Sequence, residues 1–244
     1  MALRCDATMA YVGMATFMNN MRRFPEPIRI GIGNGGETVP HRMRECLRVS
    51  ERATRICVIY YSSAGTLRRM AEALVEGAET AGAEVRLRRV PEFDEATGPI
   101  PLVDAPQLTD LAWADGIALG TPARFGNVAA ELKRFIDSTH PLWEQGALVD
   151  KAVTGFTAAG SEHGGQEVTL MALYQSVYHW GGLIMPAGYV DPVQREAGGN
   201  PYGLSARSSR SGQISPATAG AARVLGSRLT SVAGRLHRAP VAVS

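Results

Sequence analysis

Three short segments carry residues whose types and spacing point to ligand chemistry: Ser62, Ser63, Ala64, Gly65 and Thr66; Thr121 to Asn127 (TPARFGN); and Thr157 to Gly165 (TAAGSEHGG). The first joins hydroxyls to the unpaired backbone N–H groups that open a helix. That geometry binds phosphate, because the donors and the positive end of the helix dipole point at one place. The loop has no lysine, no metal ligand and no Walker GK[ST], so it suits a monophosphate held by neutral donors; plain helix capping is the alternative. The second segment packs a proline, a guanidinium, an aromatic ring and a glycine close together. Its backbone from Pro122 to Gly126 can run along a planar ligand, with Phe125 as an apolar wall and Arg124 near any charge that develops, or can simply form a tight turn. Trp143 either floors a stacking site or packs, and His179 either caps a helix C-terminus or meets a ligand edge.

The elements that must position these loops are legible from periodicity. Ile56 to Tyr61 is a β-branched and aromatic run of the kind buried on both faces of a sheet. From Leu67 the period becomes helical, with Leu67, Met70, Ala71, Leu74, Ala78 and Ala81 on one face. Glu84 to Val90 alternates like a strand near an edge, and residues 91 to 109 read mainly as loop with a short helix from Leu108 to Ala114. Gly116 to Pro122, Lys151 to Ala159 and Leu183 to Met185 read as further strands. Helices are expected at Val128 to Ser138 and Gln166 to Trp180, the latter ended by Gly181 and Gly182. Residues 191 to 214 read as a long flexible segment, followed by a helix with Ser215 as N-cap and Pro216 as first residue. Five strands alternating with helices imply an α/β doubly wound parallel sheet, and the three loops all leave strand carboxyl ends, where such sheets bind ligands.

Composition narrows the class. The 244 residues are 45% hydrophobic and 20% charged with a net charge of +2, which suits a globular domain and argues against nucleic acid or an anionic membrane as partner. The basic excess lies before Thr54, where 8 arginines face 5 acids; from Thr54 on, 17 basic residues face 18 acidic ones. Cys5, Cys46 and Cys57 are odd in number and lack metal spacing, which favours a reducing compartment, and we expect a cytoplasmic protein with no membrane span. Residues 1–53 read as a weakly ordered extension, with Met43 as an alternative start; residues 54–240 form the domain and 241–244 a tail. Gly31, Gly33 and Gly36 spell GxGxxG, but Pro40 stands where the helix of a dinucleotide fingerprint must run.

Taken together, YYSSAGT, GTPARFGN, LWEQGAL, GGQE, YHWGG and GGNPYG occur in the same order and at similar spacing in the WrbA-type NAD(P)H:quinone oxidoreductases of the flavodoxin-like superfamily. The resemblance covers about residues 54 to 237. It implies a flavodoxin-like five-stranded parallel sheet of order 2-1-3-4-5 with helices on both faces, FMN as cofactor, a homotetramer, and two-electron reduction of quinones by NADH or NADPH in a ping-pong cycle. Residue by residue, Ser62, Ser63, Ala64, Gly65, Thr66 and Leu67 resemble the family's FMN phosphate loop, and Pro122, Ala123, Arg124, Phe125 and Gly126 its isoalloxazine loop. Ala158, Ala159, Gly160, Ser161 and Gly164 resemble the third flavin loop. His179 matches the histidine that family members place against the flavin, Trp143 the tryptophan bordering the substrate side, and Ala64 a position contacting the nicotinamide substrate. GGNPYG looks like the family's inter-subunit loop. Departures are Ala64, Thr66 and Ala123 where relatives often carry Tyr, His and Thr, and a third loop with fewer hydroxyls.

Two rival readings use the same fold: a flavodoxin-type FMN electron carrier, and a non-catalytic flavin-binding or regulatory protein. Carriers are typically strongly acidic and flank the flavin with aromatics on both sides, whereas this domain is nearly neutral and its loops offer chiefly Phe125.

Overall fold

The alternation of residues along the first strand divides the molecule into two cores. In a computed structural model that describes residues 52–93 and 104–238, β1 (Arg55–Tyr60) sends Ile56, Val58 and Tyr60 into one apolar cluster and Cys57 and Ile59 into the other. Successive strand residues point to opposite faces, so a run buried on both sides must be apolar throughout. The first cluster is closed by α1 (Thr66–Thr80), through Met70 and Leu74, and by the long C-terminal helix, through Leu225 and Leu229. The second is closed from the other face by Leu111, Leu132, Leu170 and Leu173. Leu111 lies in α2 (Leu108–Trp113).

β2 (Glu84–Arg89) and β3 (Gly116–Arg124) pair parallel with β1 on its two sides. β5 (Ala152–Ala159) pairs parallel with β3. The fifth place in the sheet is shared: β6 (Leu183–Ile184) pairs with Ala152 and Val153, and β7 (Leu204–Arg207) pairs with Phe156 to Ala159. The order β2-β1-β3-β5-β6, with β7 also on β5, is the expected doubly wound arrangement with its last strand interrupted. α3 (Ala130–Asp137) and α5 (Gln166–Trp180) are the helices that follow β3 and β5. Gly181, at φ 72°, caps α5 as expected. In α7 (Pro216–Arg238) the Thr218 N–H donates to Ser215 Oγ at 3.0 Å, which bears out Ser215 as the cap.

Three expectations require correction. Residues 191 to 214 are not one flexible segment, since they contain α6 (Pro192–Glu196) and β7. β3 runs past Pro122 and folds back through β4 (Asn127–Val128), so Val128 is strand and the helix begins two residues later. A short helix absent from the sequence reading, α4 (His140–Glu144), carries Trp143. The leader, its GxGxxG and the tail lie outside the described residues.

Candidate functional site

The loops leaving β1, β3 and β5 meet at the carboxyl edge of the sheet. They enclose a cavity of about 200 Å³ lined by Ser62, Ser63, Ala64, Thr66, Leu67, Pro122, Ala123, Arg124, Ala158, Ala159, Gly160 and Ser208. The order reversal between β1 and β3 opens a crevice at that place, because their crossovers leave on opposite faces. Eleven of the residues expected at the site therefore line one cavity. Gly65, Phe125, Gly126, Ser161 and Gly164 belong to the same three loops.

The phosphate-type loop is built by its own small residues. Gly65 stands at φ 85° as the N-cap of α1, with no side-chain cap. Ser62 Oγ instead accepts the Gly65 N–H at 3.1 Å and tightens the loop. The N–H groups of Thr66, Leu67 and Arg68 have no intrahelical acceptor, and Thr66 and Leu67 line the cavity. Thr66 is 1% exposed, and its Oγ1 is buried without a hydrogen-bond partner. An orphaned hydroxyl at the positive end of a helix is what a bound anion would satisfy.

The second loop is a hairpin. Phe125 (φ 52°) and Gly126 (φ 76°) are both left-handed, the pattern of a two-residue turn matched to strand twist. Thr121 Oγ1 accepts the Ala129 N–H at 2.9 Å, and Thr157 Oγ1 donates to the Thr121 carbonyl at 2.7 Å, so the base of the hairpin is pinned to β5. The Phe125 ring is fully exposed. Arg124 Nη2 donates to Ser63 Oγ at 3.2 Å, linking the hairpin to the phosphate-type loop. In the third loop a Cβ on Gly164 would stand 2.3 Å from the Ala159 Cβ, so only glycine fits the turn, and Gln166 Nε2 donates to the Ser161 carbonyl at 2.7 Å.

Trp143 and His179 come together, but in another place. They line an apolar groove of about 400 Å³ with Ile136, Asp137, Thr139, His140, Ser176 and Trp180. Trp143 stacks on His140 with ring centroids 5.4 Å apart. α5 starts at the third loop and returns along the sheet, and Asp150, just before β5, donates its N–H to the Gly181 carbonyl at 3.0 Å. His179 therefore lies at the amino edge of the sheet, about 20 Å from the cleft at 1.5 Å per helical residue. Within one chain the two residues stand apart from the three loops.

Ser208 is the lining residue that the sequence reading missed. It follows β7, and no local pattern in SARSSRSG shows that the chain there returns across the carboxyl edge. Cys57 belongs to the core: it is fully buried, and burial pushes its thiol up to about 12. Among the described residues no group of His, Cys, Asp and Glu could hold a metal ion.

A helix-flanked parallel sheet of this order, with three ligand loops at its switch point, defines a flavodoxin-like protein. Comparison with known proteins agrees. The chain is similar to a WrbA-like flavodoxin from Agrobacterium tumefaciens (TM-score 0.57, 27% identity, 75% of this chain and 99% of that one). It is 38% identical to an NAD(P)H dehydrogenase (quinone) from Deinococcus radiodurans, over 62% of this chain and 82% of the relative. It is 39% identical to another from Geotalea uraniireducens, over 75% of this chain and 100% of the relative. Residues 54–191 match the family model described as NADPH-dependent FMN reductase, and the chain belongs to that family.

Proposed function

We propose that the protein is an FMN-dependent NAD(P)H:quinone oxidoreductase. The observation that carries this reading is the convergence of the three loops on one cleft whose helix terminus holds an orphaned buried hydroxyl, Thr66 Oγ1. Relatives 38% and 39% identical named NAD(P)H dehydrogenase (quinone) support the chemistry. The residues fit FMN. Ser62, Ser63 and Thr66, with the first-turn N–H groups of α1, would hold its phosphate. The hairpin from Pro122 to Gly126 and the third loop would lie along its ring. What FMN supplies when bound is two-electron redox chemistry between a nicotinamide nucleotide and a quinone, which these side chains cannot perform themselves.

The chain binds, orients and covers. A cavity of about 200 Å³ is smaller than the roughly 300–1,000 Å³ of pockets that enclose a drug-sized ligand, so one chain holds the phosphate end and leaves the ring side open. Nucleotide and quinone would use that open side in turn, which is a ping-pong order. Backbone donors of the hairpin and third loop, with the Arg124 guanidinium, would stabilise negative charge that develops beside them.

The cover would come from another copy. Val168, Met171 and Tyr178 are exposed along the outer face of α5, with Phe125 exposed on the hairpin at its start. A Cβ on Gly126 would lie 3.6 Å from Val168, so hairpin and helix form one continuous surface. Two copies joined antiparallel along this stripe would bring the Trp143–His179 groove of one to the cleft of the other, within a homotetramer. We place the enzyme in the cytoplasm, with residues 54–240 as the FMN domain; three cysteines, odd in number and without metal spacing, support a reducing compartment, and among the described residues no helix is long and apolar enough to cross a membrane.

The test is oxidation of NADH and NADPH with benzoquinone as acceptor, with and without added FMN. FMN-dependent turnover is expected. FMN binding without turnover by either nucleotide would leave an electron carrier, and failure to bind FMN would defeat both readings.

A further inference from the structure

The loop from Ser62 to Thr66 contains no cation of its own, and the structure seats a distant segment on it. After β7, the Ser208 N–H donates to the Ala159 carbonyl at 2.7 Å, and Ser208 lines the same cavity as Ser62 and Thr66. The chain then turns tightly: the Gly212 N–H donates to the Ser209 carbonyl at 3.1 Å, and the Ser209 hydroxyl bonds the Gln213 carbonyl at 3.2 Å. Gly212 is buried on the phosphate-type loop, where a Cβ would stand 2.7 Å from the Ala64 carbonyl oxygen and 3.2 Å from the Gly65 carbonyl carbon. At the tip of this turn is Arg210, exposed and without an ion-pair partner among the described residues. The turn, SSRSG, contains no acid.

We infer that the 208–212 turn is a fourth wall of the flavin phosphate subsite, in which Arg210, from the tip of the turn, adds a second positive charge to that of Arg124, which the hairpin holds on Ser63 at 3.2 Å. The inference rests on the FMN reading above. Its physical basis is that a turn fixed by backbone packing adds no backbone ordering cost when its arginine meets a phosphate, and the planar fork of donors suits phosphate oxygens. The buried Thr66 hydroxyl and the helix terminus fix where the phosphate sits; Arg210 neutralises it from a segment that no local motif connects to the loop.

The experiment titrates the full chain, and its Arg210→Ala and Arg210→Lys variants, with FMN and with riboflavin, which lacks the phosphate, following quenching of flavin fluorescence at low and at raised salt. Arg210→Ala should weaken FMN about tenfold or more, leave riboflavin unchanged and flatten the salt dependence, and Arg210→Lys should recover part of the loss. Arg210 is exposed, so circular dichroism should show all three proteins equally folded. Unchanged FMN affinity in Arg210→Ala would overturn the inference, as would equal losses for FMN and riboflavin. A raised KM for NADPH with FMN affinity intact would also overturn it, assigning the guanidinium to the nucleotide. Failure of the unaltered chain to bind FMN would overturn the function proposed above together with this inference, and is recognised because it appears before any substitution.

Discussion

At the scale of single residues, the cleft depends on groups whose polarity has no internal use. The Thr66 hydroxyl is buried without a partner, so it lowers stability unless an anion meets it. Thr66→Val should therefore keep or slightly raise the melting temperature of the apoprotein while weakening FMN about fivefold to tenfold; a thermal melt and a fluorescence titration check the two halves. Cys57, with its thiol pushed to about 12 by burial, should resist thiol reagents in the native state and react on unfolding. Most of the cleft's lining was legible at this scale because it lies in local spacing: SSAGT, TPARFGN and TAAGSEHGG each show their glycines and hydroxyls directly. Ser208 was not legible, because its place depends on where the chain goes after pairing with Ala159, which is a tertiary fact.

At the scale of elements, the apolar strands β1, β3 and β5 announce themselves because burial on both faces demands uninterrupted apolar residues. β7 does not: Leu204–Arg207 is short and half polar, and only its register against Phe156 to Ala159 makes it a strand. The tight turn at Phe125 was among the expected readings, but the return strand β4 was not, since its pairing with β3 needs Phe125 at a positive φ that contradicts its own backbone preference. Packing makes its own demands. A Cβ on Gly226 of α7 would stand 2.0 Å from the Leu74 carbonyl oxygen of α1, so Gly226→Ala must push the two helices apart and should cost about 1–3 kcal/mol in chemical denaturation.

The edge strand β2 is held by charge. Arg86 and Arg88 donate to the buried Asp110 carboxylate at 3.0 and 2.9 Å, and Arg86 also stacks 4.0 Å over the Trp113 ring. Burial, the largest influence, pushes the Asp110 carboxyl up. Hydrogen bonds from Arg88, the Gln107 N–H and Arg86 outweigh it and hold the group below its usual value. A depressed folded value means that this stabilisation is complete above the ordinary carboxylate pKa of about 3.9 and is lost as pH falls below it. Asp110→Asn should cost about 3 kcal/mol at neutral pH and make the acid limb of a stability-against-pH curve shallower.

At the scale of the whole molecule, α5 runs from the three-loop cleft at its start to the Trp143–His179 groove at its end. The Trp143–His179 groove could be listed with the loops from the sequence, but its distance from them follows from the direction of α5, which a motif does not carry. An antiparallel pairing of copies along Val168, Met171 and Tyr178 would bring cleft and groove together. Tyr178→Glu places a charge in that stripe, and sedimentation should then show smaller particles that bind FMN yet turn over quinone at least tenfold more slowly, a loss equivalent to about 1.4 kcal/mol. His179→Ala should lower turnover without changing FMN affinity more than severalfold.

If the three-loop cleft holds FMN and passes two electrons from a nicotinamide nucleotide to a quinone, the absorption of the flavin itself records both transfers. The most direct measurement is anaerobic and spectroscopic: the FMN-loaded chain is mixed with NADPH or NADH, and benzoquinone is added afterwards. The visible flavin band should bleach with the nucleotide alone and return in full with the quinone. A band that persists with both nucleotides, or one that bleaches and is not restored by quinone, would contradict the proposed function.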